Sequence, residues 1–230
     1  MDKRIPSIIA IDGPAASGKS TVGVLLAKRL DYLYFDTGIM YRAVTWAALQ
    51  QLKAVDDEAL VTKLSEEVQI DVQPPTKMDG RLSDVLLDGA DITWEIRSRE
   101  VEAAVSQVSA YVGVRNAMTA QQRRIGQRGR IVMVGRDIGT VVLPEAELKV
   151  YLDACVEVRA QRRFEELHQR GEQADYKKIL TAMKRRDKID STRAVAPLRA
   201  AEDAYRICSD EIDAEQVVDQ VMELARIGRK

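Results

Sequence analysis

The sequence predicts an α/β fold in which a parallel sheet is covered by helices on both faces. Three observations carry that expectation. Short apolar runs at Ser7 to Asp12, Tyr32 to Asp36, Ile131 to Val134 and Leu148 to Leu152 read as buried strands. Each is flanked by stretches with helical periodicity, the pattern of a sheet buried on both sides. A glycine-rich turn ends the first run, where such a sheet passes into its first helix.

In chain order, Lys19 to Leu30 places Val22, Leu25, Leu26 and Leu30 on one helical face, and Gly38 opens a helical stretch through Leu52. The rhythm then breaks twice. Val68, Ile70 and Val72 alternate with polar residues, Pro74-Pro75 and Asp79-Gly80 supply turns, and Ser83 to Leu87 is again strand-like, which predicts a small antiparallel insertion within residues 65–98. Val156 to Lys188 reads as a helical hairpin broken at Gly171 and dense in arginine: Arg159, Arg162, Arg163, Arg170, Arg185 and Arg186. Asp213 to Ile227 closes the chain as an amphipathic helix through Val217, Val218, Val221, Leu224 and Ala225.

With 230 residues, 46% of them apolar, the chain is long enough for one sizeable core carrying small subdomains, and we expect one domain over 1–230. Its 35 basic and 36 acidic residues leave a net charge of -1, so no global field favours nucleic acid or an anionic membrane and any basic site is local. Met1 to Arg4 is charged, but the apolar run after it is broken by Pro6 and stopped by Asp12. That fits neither a signal peptide nor a membrane span, and implies a cytoplasmic protein acting on small molecules. Cys155 and Cys208 are far apart in sequence, without the spacing of a zinc or redox pair, and the single histidine, His168, falls in a run of Arg and Glu that reads as a solvated face.

The segment Gly13-Pro14-Ala15-Ala16-Ser17-Gly18-Lys19-Ser20 fits G-x-x-x-x-G-K-[ST] between a strand and a helix, the context that motif needs. Glycines let the backbone approach phosphates closely, and amides at the helix N-terminus point at them. Lys19 would reach the β and γ oxygens of a nucleoside triphosphate, and the Ser20 hydroxyl would join a Mg²⁺ shell. This loop alone does not separate switches, motors and kinases. A GTPase needs an Asn-Lys-x-Asp motif, but the only asparagine is Asn116, followed by Ala117. A motor would carry an acidic pair after a hydrophobic strand, whereas Ile131 to Val134 is followed by Gly135-Arg136-Asp137. That arginine suggests a second anionic substrate. Asp36-Thr37-Gly38, followed by Tyr41-Arg42, puts a hydroxyl, a glycine and an arginine on the same sheet edge, so Arg42 and Arg136 should converge beside the phosphate loop.

Four blocks then make the chain resemble the bacterial cytidylate kinases, the (d)CMP kinase branch of the nucleoside monophosphate kinases. They are Ile11 through Thr21, Asp36-Thr37-Gly38 with Tyr41-Arg42, Gly135 through Thr140, and Asp190-Ser191-Thr192-Arg193-Ala194-Val195-Ala196-Pro197-Leu198. The resemblance implies the P-loop kinase sheet with the insertion, an acceptor-binding region over 37–126 and a helical lid over 157–175. Gly13 to Thr21 would bind ATP. Arg42, Arg136 and Arg193 would hold the acceptor phosphate with help from Asp36 and Thr37, Arg186 and Asp190 would meet the ribose, and Ser106, Arg115 and Asp137 the cytosine. Lys19, Arg162, Arg163 and Arg186 would act on the transferred phosphoryl group, with Mg²⁺ as cofactor. The implied reaction is ATP with CMP or dCMP giving ADP with CDP or dCDP, by a monomer. A kinase of UMP or another monophosphate and a non-catalytic ATP-binding regulator are the competing readings. Two departures from the family pattern stand out: Ile39 where alanine is expected, and Cys208 where aspartate is frequent.

Overall fold

The computed structural model describes residues 5–227, so the charged Met1 to Arg4 segment lies outside the described residues. Strands β1 (Ile8–Asp12), β2 (Leu33–Asp36), β6 (Ile131–Gly135), β7 (Leu148–Asp153) and β8 (Tyr205–Cys208) form one sheet in the order β2-β6-β1-β7-β8, every pair parallel. Because side chains alternate across a strand, β1 sends Ala10 to one apolar cluster and Ile9 and Ile11 to the other. Helices α1 (Lys19–Leu30) and α8 (Ala214–Ile227) pack on the Ile9 and Ile11 side through Val22, Leu26, Val217 and Val221. Helices α2 (Gly38–Gln51) and α5 (Val112–Gly126) cover the other through Met40, Val44, Ala47, Met118 and Ile125. The expected α/β architecture is therefore present.

The antiparallel insertion is present as β3 (Ile70–Gln73), β4 (Asp84–Leu87) and β5 (Ala90–Asp91), paired in that order. It does not stand apart: Ile70, Val72, Val85 and Leu87 belong to the same apolar cluster as α2 and α5. Its outer loop is tied by Arg81, whose buried guanidinium meets the carboxylates of Asp79, Asp84 and Asp91, each at 2.8 Å. Unforeseen in sequence are α3 (Glu58–Glu67), capped by the Asp57 carboxylate, and α4 (Arg99–Val108), capped by the Ser98 hydroxyl.

The arginine-rich hairpin is α6 (Val156–Gln169) and α7 (Tyr176–Thr192), with Gly171 at φ 74° supplying the left-handed turn between them. His168 sits exposed on α6. Cys155 and Cys208, remote in sequence, both come to the Asp210 carboxyl, because β7 and β8 end side by side. Among the described residues, no helix is long and apolar enough to cross a membrane.

Candidate active site

The phosphate loop leaves β1 at Gly13. A Cβ there would lie 2.1 Å from the Leu152 carbonyl oxygen of β7, so only glycine permits this packing. Gly18, at φ 90°, turns the chain into α1 with its free amides facing the loop. Lys19 is buried and its Nζ donates to the Pro14 carbonyl at 2.8 Å, across the mouth of the loop. Its ammonium is held well below the usual lysine range by burial first, and also by Arg136 and Arg186. An anion in the loop relieves both effects. Ser17 is wholly buried with its hydroxyl unpartnered, Ser20 and Thr21 are exposed at the start of α1, and Ser20 shares a hydrogen bond with the Tyr34 phenol.

Beside the loop opens a cavity of about 320 Å³. Its walls include Ala15, Ala16, Lys19 and Ser20 from the loop and α1, and Asp36, Thr37 and Arg42 from β2 and α2. Ser106 comes from α4, Arg115 from α5, Arg136 and Asp137 from the turn after β6, and Arg186, Asp190 and Arg193 from α7 and its end. All ten residues expected on the acceptor side therefore line one space. They are brought together from positions up to 157 residues apart in the chain by the common C-terminal edge of the parallel strands.

Each polar group there is oriented. Asp36 accepts from the Gly38 amide at 2.9 Å, and the Thr37 hydroxyl donates to the Val134 carbonyl at 3.1 Å, which commits it to holding β2 against β6. Arg42 meets Glu102 and also donates to the Ile96 carbonyl at 3.4 Å. Arg136 Nε donates to Asp190 at 3.0 Å. Arg115 Nη2 donates to Asp137 at 2.8 Å and its guanidinium lies 5.5 Å from the Tyr41 ring centroid. Arg193 Nε donates to the Ala196 carbonyl at 2.6 Å, while its outer nitrogens stand 3.7 Å from Asp137 and 3.8 Å from Asp190. Arg186 has no hydrogen bond or ion pair among the described residues, and its charge is disfavoured by partial burial and then by Arg136. Six cationic side chains face three carboxylates across this cavity, an imbalance that suits an anionic ligand.

The arginines of the α6–α7 hairpin divide. Arg159 is buried and turned inward: it donates to the Ala15 carbonyl of the phosphate loop at 3.1 Å and pairs with Asp187 at 2.6 Å. Arg162 instead reaches the Ser209 hydroxyl at 3.1 Å and Arg163 pairs with Glu166 on its own helix at 2.7 Å, so neither lines the cavity. Ser209 in turn donates to the Ser17 carbonyl at 3.1 Å, tying the turn after β8 to the phosphate loop.

The phosphate loop, the adjoining cation-rich cavity and the arginine-anchored carboxylate in its wall thus form one continuous site. A family profile described as cytidylate kinase matches residues 9–227. The chain belongs to the cytidylate kinase family. A protein named cytidylate kinase from Roseiflexus castenholzii (strain DSM 13941 / HLO8) is 51% identical over 224 residues, covering 97% of this chain and 94% of its own. One so named from Geobacillus sp. (strain WCH70) is 50% identical, with 96% and 97% covered, and one from Bacillus subtilis (strain 168) is 44% identical, with 97% of each chain covered. Among solved structures, the shikimate kinase from Acinetobacter baumannii covers 96% of this chain and 93% of its own at 18% identity and a TM-score of 0.47.

Sequence reasoning missed several residues of this cytidylate kinase family site. Tyr41 and Ser109 line the cavity, Glu102 pairs with Arg42, and Asp12 lies beneath the turn that carries Arg136 and Asp137. Tyr41 and Asp12 lie inside the conspicuous sequence blocks and could have been singled out there. Glu102 and Ser109 lie on or next to an amphipathic helix, where nothing distinguishes them from other surface positions.

Proposed function

We propose that this protein transfers the γ-phosphoryl group of ATP to CMP or dCMP, giving ADP and CDP or dCDP. The observation that carries the reading is the Asp137 carboxylate. Held by Arg115 in the wall of the cation-rich cavity next to Lys19, it supplies an acceptor for the exocyclic amine of cytosine. Uracil presents an oxygen at that position, and two facing acceptors repel. An unpaired polar group in a site discriminates strongly between such analogues.

The donor phosphates lie in the Gly13 to Thr21 loop under its amides, with Lys19 swinging from Pro14 to the phosphoryl oxygens. Arg42, Arg136 and Arg193 hold the acceptor phosphate, for which planar guanidinium forks are suited. Ser106 and Arg115 complete the base site with Asp137, and Arg186 and Asp190 meet the ribose, Arg186 also reaching toward the transferred group. No protein nucleophile is required: catalysis is in-line positioning of two phosphates plus charge stabilisation.

Mg²⁺ fits this site. Ser20 and Asp36 line the same cavity, and a hydroxyl with a carboxylate suits an ion that keeps waters and phosphate oxygens as most of its shell. Bound with the donor, it would neutralise charge on the β and γ oxygens. The segment 157–175 closes over the triphosphate, bringing Arg162 and Arg163 off Ser209 and Glu166 and keeping water out. Residues 37–126 supply the acceptor side. On this reading the protein is a monomer acting on free nucleotides in the cytoplasm.

A coupled assay of ADP release over a panel of monophosphates tests the reading. Turnover of CMP and dCMP well above UMP, AMP and GMP is expected. Comparable or faster turnover of UMP ends the specificity claim, and ATP binding without acceptor-dependent turnover ends the kinase reading.

A further inference from the structure

Asp12 is the last residue of β1 and only 4% exposed, yet it belongs to none of the binding roles above. Its Oδ1 accepts from the Ile138 amide at 2.8 Å and its Oδ2 from the Gly139 amide at 2.8 Å. Both oxygens are thus spent on the two amides that follow Arg136 and Asp137. Two convergent N–H donors call for a carboxylate: an asparagine amide would turn an NH₂ group against one of them. Gly139 fits the same arrangement, since a Cβ there would lie 3.4 Å from Asp12 Oδ2 and 3.1 Å from the Lys149 Cδ.

The turn needs holding. Asp137 has φ -146° and ψ 23°, outside the regular helical and extended regions, and the backbone from Ile138 to Val142 winds into a wide helical turn. Asp12 is also the residue before Gly13. Its main chain enters the phosphate loop while its side chain grips the acceptor turn, 127 residues away in sequence. A carboxylate withdrawn from water is costly to keep. Burial pushes its carboxyl up to about 6, and its two amide bonds oppose that rise. Lys19 and Asp137 are the charged groups nearest in effect, and Tyr151 and Lys149 approach from β7.

We propose that Asp12 is a positioning residue for acceptor recognition, fixing the turn that presents Arg136 to the acceptor phosphate and Asp137 to its base. The inference rests on the CMP reading above. It assigns base discrimination partly to a residue that touches no substrate and is rooted in the donor loop.

The test is steady-state kinetics of wild type and Asp12→Asn with CMP and UMP, alongside ATP binding measured without acceptor. We expect the variant to lose roughly ten- to a hundredfold in the CMP-to-UMP ratio of kcat/KM, the factor that attaches to a hydrogen bond with a charged group, mainly through KM for CMP. ATP affinity should change far less. Adding Asp137→Asn should then cause little further loss of discrimination, since both substitutions act on one reader. Parallel losses for CMP and UMP, or a loss of ATP binding as large as the loss of CMP use, overturn the proposal. If Asp12→Asn does not fold, the wild-type ratio measured downward through pH 6 decides. Over the range above that in which cytosine N3 itself takes up a proton, it falls as Asp12 gains a proton and gives up an acceptor, and a flat ratio there overturns the proposal; titration of the acceptor phosphates is common to both substrates and cancels. A wild type inactive on CMP at every pH removes the CMP reading itself, an outcome distinct from any of these.

Discussion

Arg115 Nη2 and Asp137 Oδ2 stand 2.8 Å apart, with the two side chains only 6% and 10% exposed. The pair fixes the Asp137 carboxylate in the wall of the cavity beside the phosphate loop. A hydrogen bond to a charged group is worth about 1.5–3 kcal/mol, so Asp137→Asn should lower kcat/KM for CMP by roughly ten- to a hundredfold and narrow the gap to UMP. ATP binding measured by calorimetry should be unchanged. Retained discrimination in the variant would remove Asp137 from the reading role.

The same burial makes the pair unequal to its parts. Asparagine keeps an oxygen for Arg115 Nη2, whereas alanine leaves the buried guanidinium with neither a counter-charge nor that acceptor, its Nε being already unpartnered. Breaking a buried pair in this way typically costs about 3–5 kcal/mol. Asp137→Ala should therefore unfold at lower denaturant concentration than Asp137→Asn, and equal midpoints for the two variants would show that Arg115 does not depend on its partner.

Arg42 is occupied by Glu102, a partner whose side chain is 65% exposed. On the proposed reading, an acceptor phosphate held by Arg42 displaces that carboxylate. Exposed pairs are worth about 0.2–1 kcal/mol, so Glu102→Gln should lower KM for CMP by about two- to fivefold with kcat little altered. A rise in KM would mean that Glu102 orients Arg42 for the phosphate instead of competing with it.

How much of this was legible in the chain follows from where each signal resides. The phosphate loop, the parallel strands and the arginine hairpin announce themselves within a dozen residues, through glycines at forced turns and apolar runs buried on both faces. Strand β8 escaped as a distinct element because it lies at the sheet edge with only Ile207 buried, and β5 because both its residues are exposed. Most of the residues that line the cavity were singled out as motifs, but their company was not. That Arg42 faces Glu102, that Arg159 points inward while Arg162 holds Ser209, and that Asp12 grips Gly139 are consequences of packing between segments from 47 to 144 residues apart, or of one helix face chosen over another. No local pattern encodes them.

Lys19 gives a prediction about protons. Burial, Arg136 and Arg186 hold its ammonium well below the ordinary range, whereas bound phosphates favour the charged form. ATP binding above neutral pH should therefore take up protons, seen as a binding enthalpy that varies with the ionisation heat of the buffer. Lys19→Met should abolish both that dependence and turnover while the fold persists. Buffer-independent heats in the wild type would mean that Lys19 is already fully charged in the free protein.

Asp12 ties stability to pH in the direction opposite to the usual carboxylate. Its folded value, about 6, lies above the ordinary 3.8, so between these two values the native state holds a proton that the unfolded chain has released. A group whose folded carboxyl is raised costs stability above pH 6, and that cost is lifted as pH falls toward 4. The size implied is about 3 kcal/mol. Asp12→Asn has no such titration. On lowering the pH from about 7 to 4, wild type should gain up to that amount relative to the variant in urea unfolding, even as both lose stability through their other carboxylates. A constant difference between the two proteins across that range would show that the carboxylate keeps its ordinary acidity, and that its two amide bonds fully offset its burial.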